Sequence, residues 1–132
     1  MNKKQAYKTD NKSYLLRIAQ EPSVKTLPCG ILYKVLKTGN GISPTASSVV
    51  SVYYKGMLIN GRVFDDNTQQ GYPDAFRLTD LIRGWQIALP QMHIGDKWCI
   101  YIPSEQGYGA ITTDGIPKDS TLIFEIELVG IM

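Results

Sequence analysis

Over the last two-thirds of the chain, apolar residues fall on a helical period in one place only. Leu81, Ile82, Trp85, Ala88 and Leu89 stand at i, i+1, i+4, i+7 and i+8, a single stripe on a 3.6-residue period. Thr79 or Asp80 can cap the start by accepting a free backbone N–H, and Pro90 forbids continuation, so a short helix is expected. The rest alternates. In residues 48–58, Val50, Val52, Tyr54 and Leu58 alternate with Ser51, Tyr53 and Lys55, which predicts a strand with one buried and one wet face. Residues 97–102 turn Trp98, Ile100 and Ile102 one way and Cys99 outward. Residues 121–131 set Leu122, Phe124, Ile126 and Leu128 against Glu125 and Glu127, the solvated side. Shorter strands are expected at 24–27, 31–36 and 76–78, and Asn60-Gly61 is the strongest hairpin signal, returning the chain through residues 62–65. A short helix among strands serves to lie across a sheet and close its apolar face. The expected fold is therefore α+β, an antiparallel sheet of about five strands wrapped around one short helix.

The N-terminal region reads differently. Residues 1–12 are polar and basic and are expected to fray, and residues 12–21 form a short helix that Pro22 ends. This divides the chain into a basic tail with a short helix, residues 1–23, and one folded domain, residues 24–132. Eight Lys and Arg face two acids before Gly41, against six and ten afterwards, so the basic entry segment is read as a solvated tail. The formal charge of +2 gives no nucleic-acid surface, and no apolar run is long enough for membrane insertion. An apolar share of 43% argues against disorder.

Little conventional chemistry is available. The lone His93, in a turn, has no partners for a metal site or a Ser-His or Cys-His relay, so no metal and no cofactor are expected. Cys29 and Cys99 lack metal or redox spacing; two unrelated buried thiols are favoured over a single disulfide, pointing weakly to a reducing compartment. No secretory signal is read in the chain as it stands. A cytoplasmic location is expected on that basis, and a periplasmic or exported one if the N-terminus was trimmed. The inward positions hold an unusual aromatic set, Tyr54, Phe64, Trp85, Tyr108 and Phe124, with Leu81, Ile82 and Ile116 nearby. It fits a plain core or an apolar cavity between helix and sheet, and spacing alone does not decide. The loop at 103–118 is long enough to be functional.

At these residues the chain resembles the FKBP-type peptidyl-prolyl cis-trans isomerases, over residues 24–132. The resemblance lies in Val52-Tyr53-Tyr54-Lys55-Gly56-Met57-Leu58, Asn60-Gly61-Arg62-Val63-Phe64-Asp65, Phe76-Arg77-Leu78 and Ile82-Arg83-Gly84-Trp85. It continues in Tyr108-Gly109-Ala110, Gly115-Ile116-Pro117 and Thr121-Leu122-Ile123-Phe124-Glu125-Ile126-Glu127-Leu128. The short gap between Phe76 and Trp85, and Lys25-Thr26-Leu27-Pro28, look most like the bacterial macrophage-infectivity-potentiator branch. The resemblance implies isomerisation of X–Pro bonds in unfolded or flexible segments, by non-covalent binding. Trp85 would floor a proline pocket walled by Tyr54, Phe64, Leu81, Ile82 and Phe124, with Ile116 in a flap above. The Ile82 N–H and Tyr108 hydroxyl would hydrogen-bond substrate carbonyls, and Asp65 would sit beside Tyr54, polarising the substrate carbonyl or merely capping a turn. Proline-containing polypeptides are the implied partners, macrolides candidate ligands, and a monomer the expected state, a dimer through the N-terminal helix being the alternative. Two departures stand out: Asp74 replaces an apolar wall residue, and Gln70 an arginine that pairs with the acid matched by Asp65. They favour the alternative function, a non-catalytic chaperone or binding module for proline-containing or hydrophobic segments.

Overall fold

The computed structural model describes residues 2–113 and 115–132. Seven strands form one antiparallel sheet: β1 (Lys25–Thr26), β2 (Leu32–Lys37), β3 (Val49–Met57), β4 (Val63–Asp66), β5 (Asp74–Arg77), β6 (Lys97–Ile102) and β7 (Leu122–Ile131). Their order is β1-β2-β6-β7-β3-β4, with β5 beside β4 along the free edge of β3. The sheet has seven strands rather than about five; β1 and β5 fall on the short strands expected at 24–27 and 76–78. The long strands follow their alternation. In β3 every second residue from Val50 is buried, and Asn60-Gly61 makes the expected turn, with Gly61 at φ 87°.

The sheet curls over α2 (Arg83–Ala88), burying Trp85, Ala88 and Leu89 against Val50, Val52, Ile100, Ile126 and Leu128. A β-carbon on Gly84 would lie 2.6 Å from the Ile102 side chain, so its absence lets the helix approach β6 closely. The predicted single helix over the stripe is broken. Leu78–Asp80 form a separate tight turn, Leu81 and Ile82 are extended, and Leu89–Gln91 tighten into a further turn at Pro90. The N-cap is Ile82 rather than Thr79 or Asp80, and no side chain caps it. The Gln86 side chain donates to Leu81 O at 2.7 Å, stabilising the extended entry.

The N-terminal region departs most from expectation. Instead of fraying up to Lys12, the chain forms α1 (Lys3–Ile18), capped by Asn2, whose side chain accepts from Gln5 N at 2.8 Å. The helix ends at Ile18, before Pro22, with Ala19 as its C-cap. It covers the outer face of β2, β6 and β7: Ile18 packs with Leu32, Cys99, Tyr101 and Ile123, bordered by Tyr14 and Leu15. Cys99 faces outward, as expected, and is buried there beneath α1, as a buried thiol was expected to be, so burial pushes its pKa up. Cys29, expected inside, is exposed; both thiols are free. No described helix is long and apolar enough to cross a membrane.

Candidate functional site: an aromatic cavity between helix and sheet

A cavity of about 300 Å³ opens where α2 leaves the sheet uncovered. Trp85 lies at its base, 4% exposed, and three rings meet the indole edge-on. Ring centroids lie 5.3 Å away for Tyr54, 5.2 Å for Phe124 and 6.1 Å for Phe76, at interplanar angles of 84°, 90° and 88°. Edge-to-face packing sets the positive ring edges against a negative π face, so the box is held in shape without a ligand. Phe64 closes one side, its ring at 87° to Phe124 with centroids 5.6 Å apart. That closure depends on Gly56 of β3, where a β-carbon would lie 2.7 Å from Phe64 and 2.8 Å from Phe124.

The rim is polar. Tyr54 donates its hydroxyl to Asp65 Oδ2 at 2.6 Å. Its pKa is raised well above the ordinary tyrosine value, first by burial and then by that hydrogen bond, so the proton stays on the phenol. Tyr108 overhangs the opening, 39% exposed, and its pKa is raised by burial and then by the Asp65 charge. Leu81 and Ile82 border the cavity where the backbone is extended. The Ile82 N–H precedes the first helical turn and has no backbone acceptor among the described residues. The Trp85 indole N–H likewise has no partner among them.

Of the residues singled out from sequence, Tyr54, Phe64, Asp65, Leu81, Ile82, Trp85, Tyr108 and Phe124 come together around this cavity. Ile116 does not line it. It is 4% exposed within the apolar core, bridged to Thr113, and Arg62 donates to the neighbouring Gly115 carbonyl. Two lining residues were missed, Phe76 and Asp80. In the sequence Phe76 has a place in a brief strand and in a family motif but no site role, although its every-other-residue relation to Asp74 puts it on the inner face.

Asp74 does not line the cavity. Its carboxylate accepts from Asn67 Nδ2 at 3.0 Å. Asn67 is 5% exposed and fills the gap where the partner of β3 changes from β4 to β5. Its Oδ1 accepts from Tyr54 N at 2.7 Å, its own N–H donates to Tyr54 O at 3.1 Å, and its Nδ2 also reaches Val52 O at 3.0 Å. The backbone of Tyr54 is thus pinned by a side chain acting as a strand. Gln70 donates to Tyr72 O, so the Asp65 side chain has only Tyr54 as a hydrogen-bonding side-chain partner among the described residues.

An antiparallel sheet curled over one short helix, with a tryptophan-floored cavity between them, marks the FKBP class of fold. The chain belongs to the FKBP-type peptidyl-prolyl cis-trans isomerase family, whose model matches residues 41–129. It is 42% identical over 122 residues to the peptidyl-prolyl cis-trans isomerase Mip of Coxiella burnetii, covering 92% of this chain and 53% of that protein. Against the isomerase FkpA of Escherichia coli it is 41% identical over 120 residues, covering 91% of this chain and 44% of that one. The chain thus spans about half the length of these curated relatives. Among solved structures, a peptidyl-prolyl cis-trans isomerase from Pseudomonas syringae pv. tomato superimposes with a TM-score of 0.91 at 39% identity, covering 99% of this chain and 97% of that one.

Proposed function

We propose that the chain accelerates cis-trans rotation about X–Pro bonds in unfolded or flexible polypeptides, holding the proline ring in the aromatic cavity without covalent chemistry. The observation that carries this reading is the preformed box: an indole floor fixed by three edge-on rings, bordered by a backbone N–H that has no acceptor among the described residues.

Rotation of an amide crosses a barrier of about 18–20 kcal/mol because conjugation across C–N is lost as the bond twists. The planar amide is the more polar form. Moving it from water into an apolar box therefore favours the twisted form, and hydrogen bonds to flanking carbonyls hold the chain in a bent path. In this reading the Ile82 N–H and the Tyr108 hydroxyl donate to substrate carbonyls. Asp65, fixed by Tyr54, presents a carboxylate to the carbonyl of the residue before proline. A millionfold acceleration requires about 8 kcal/mol of preferential binding to the twisted state, so shape, desolvation and hydrogen bonds must all contribute. The cavity is also the natural seat for a macrolide, and competition by such a compound tests that.

A protease-coupled assay on Leu-Pro and Phe-Pro peptides tests the catalytic reading. Rate enhancement at micromolar protein is expected, and none at any concentration tried would reject it. A second reading, a binding module without useful catalysis, is favoured by Gln70, which turns to Tyr72 and leaves Asp65 without an ion pair among the described residues. Under that reading a variant with Tyr54 and Asp65 replaced still suppresses aggregation of an unfolded client; parallel loss of both activities counts against it.

A further inference from the structure

The loop carrying Tyr108 is not held by the sheet alone: its descending arm, residues 117–121, is seated on α1. Ser120 gives its one hydroxyl proton to Pro117 O at 2.6 Å, so the Tyr7 hydroxyl, 2.6 Å from Ser120 Oγ, is the donor between those two. One turn further along α1, Asn11 is 2% exposed. Its Oδ1 accepts from Thr121 N at 2.7 Å, and its Nδ2 donates to Tyr7 O at 2.8 Å. The Thr121 hydroxyl donates back to Asn11 O at 3.4 Å. A buried amide satisfied in this way by two elements is costly to separate, because parting them leaves its polar atoms unpaired.

One more link reaches the cavity. The Asp119 N–H donates to Gly109 O at 2.8 Å, joining the descending arm to the residue after Tyr108. Asp119 stands at φ 63°, a left-handed conformation that aspartate tolerates but does not favour. Such a residue persists where its surroundings over-determine it, and here its neighbours Ser120 and Thr121 are both tied to α1.

We propose that Tyr7 and Asn11 are positioning residues of the isomerase site: through Ser120, Thr121 and Asp119 they set where Tyr108 stands over the cavity. This rests on the reading of Tyr108 as a donor to substrate. It makes α1 part of the working site rather than a spacer, although α1 lies outside the segment that defines the family.

The test is a double-mutant cycle on the full chain. Tyr7→Phe removes one hydroxyl and is expected to lower kcat/KM by about three- to ten-fold, with no further loss when Tyr108 is already replaced by Phe. Ser120→Ala cuts the same link from the loop side and is expected to match Tyr7→Phe. Undiminished kcat/KM in Tyr7→Phe, or full additivity with Tyr108→Phe, overturns the proposal. Hydrogen exchange at the Asp119 amide reads the coupling without turnover and is expected to quicken in Tyr7→Phe. Unchanged exchange overturns the proposal itself. Quickened exchange beside an undiminished Tyr108→Phe overturns instead the role given to Tyr108, and leaves the hold of α1 on the loop standing.

Discussion

Tyr54 has one proton, and it is committed to Asp65. That commitment turns the carboxylate into a fixed feature of the rim, so the pair should act as a unit. Tyr54→Phe is expected to lower kcat/KM about ten-fold or more while the protein stays folded, since hydrogen bonds to charged groups are worth more than neutral ones. Assays of Tyr54→Phe, Asp65→Asn and the double variant check this, with losses well short of additive expected. The same bond has a pH signature. The folded-state pKa of Tyr54 is raised above its ordinary 10.0, chiefly by burial. Its contribution to stability is therefore fully present below pH 10.0 and is lost as pH rises towards the folded value. Denaturation midpoints should fall above pH 10 in the native chain and fall less steeply in Tyr54→Phe. Most of this constellation was legible in the sequence: Tyr54 and Phe124 follow from strand alternation, and Trp85 from the helical stripe. Phe76 was legible in the alternation of β5 but went unused, and Asn67 was not legible at all. Asn67 acts by replacing a missing strand at a break in pairing, and neither propensity nor period reports such a break.

At the scale of elements, the site depends on two close approaches. Gly84 lets α2 settle onto β6, and Gly56 lets Phe64 and Phe124 meet across β3. Gly56→Ala would force both rings aside, and a loss of about 1–3 kcal/mol is expected in urea denaturation, as for other overpacked sites. Binding at the cavity should weaken with it, because the displaced rings are its walls. The apolar stripe in residues 81–89 located α2 but hid its interruption. Leu81 and Ile82 keep the spacing of a helix while adopting extended backbone, and that extension is what leaves the Ile82 N–H beside the cavity without an acceptor among the described residues. The last turns of α1 fall within the helix expected at 12–21, but its first half, residues 3–11, was missed for the opposite reason. Its ties to the body run through Tyr7 and Asn11, polar contacts that an apolar pattern cannot reveal, and only the last turns of the helix bury aliphatic surface.

Across the whole molecule, one sheet has two occupied faces. The inner face packs on α2 and carries the cavity, and part of the outer face packs under α1. The alternation was therefore correct for the inner face, while β6, buried on both sides, was wrongly expected to be wet on one. Wrapping the sheet around a helix too short to cover it leaves an apolar volume unfilled, and the surrounding rings keep it open. The direct measurement is two-dimensional NMR exchange on a Leu-Pro peptide, with native protein and with Trp85→Leu. The account predicts cis-trans exchange cross-peaks at micromolar native protein and a rate at least about ten-fold lower for the variant. Equal rates in the two proteins, or no exchange above the uncatalysed rate with either, would contradict a proline site floored by Trp85.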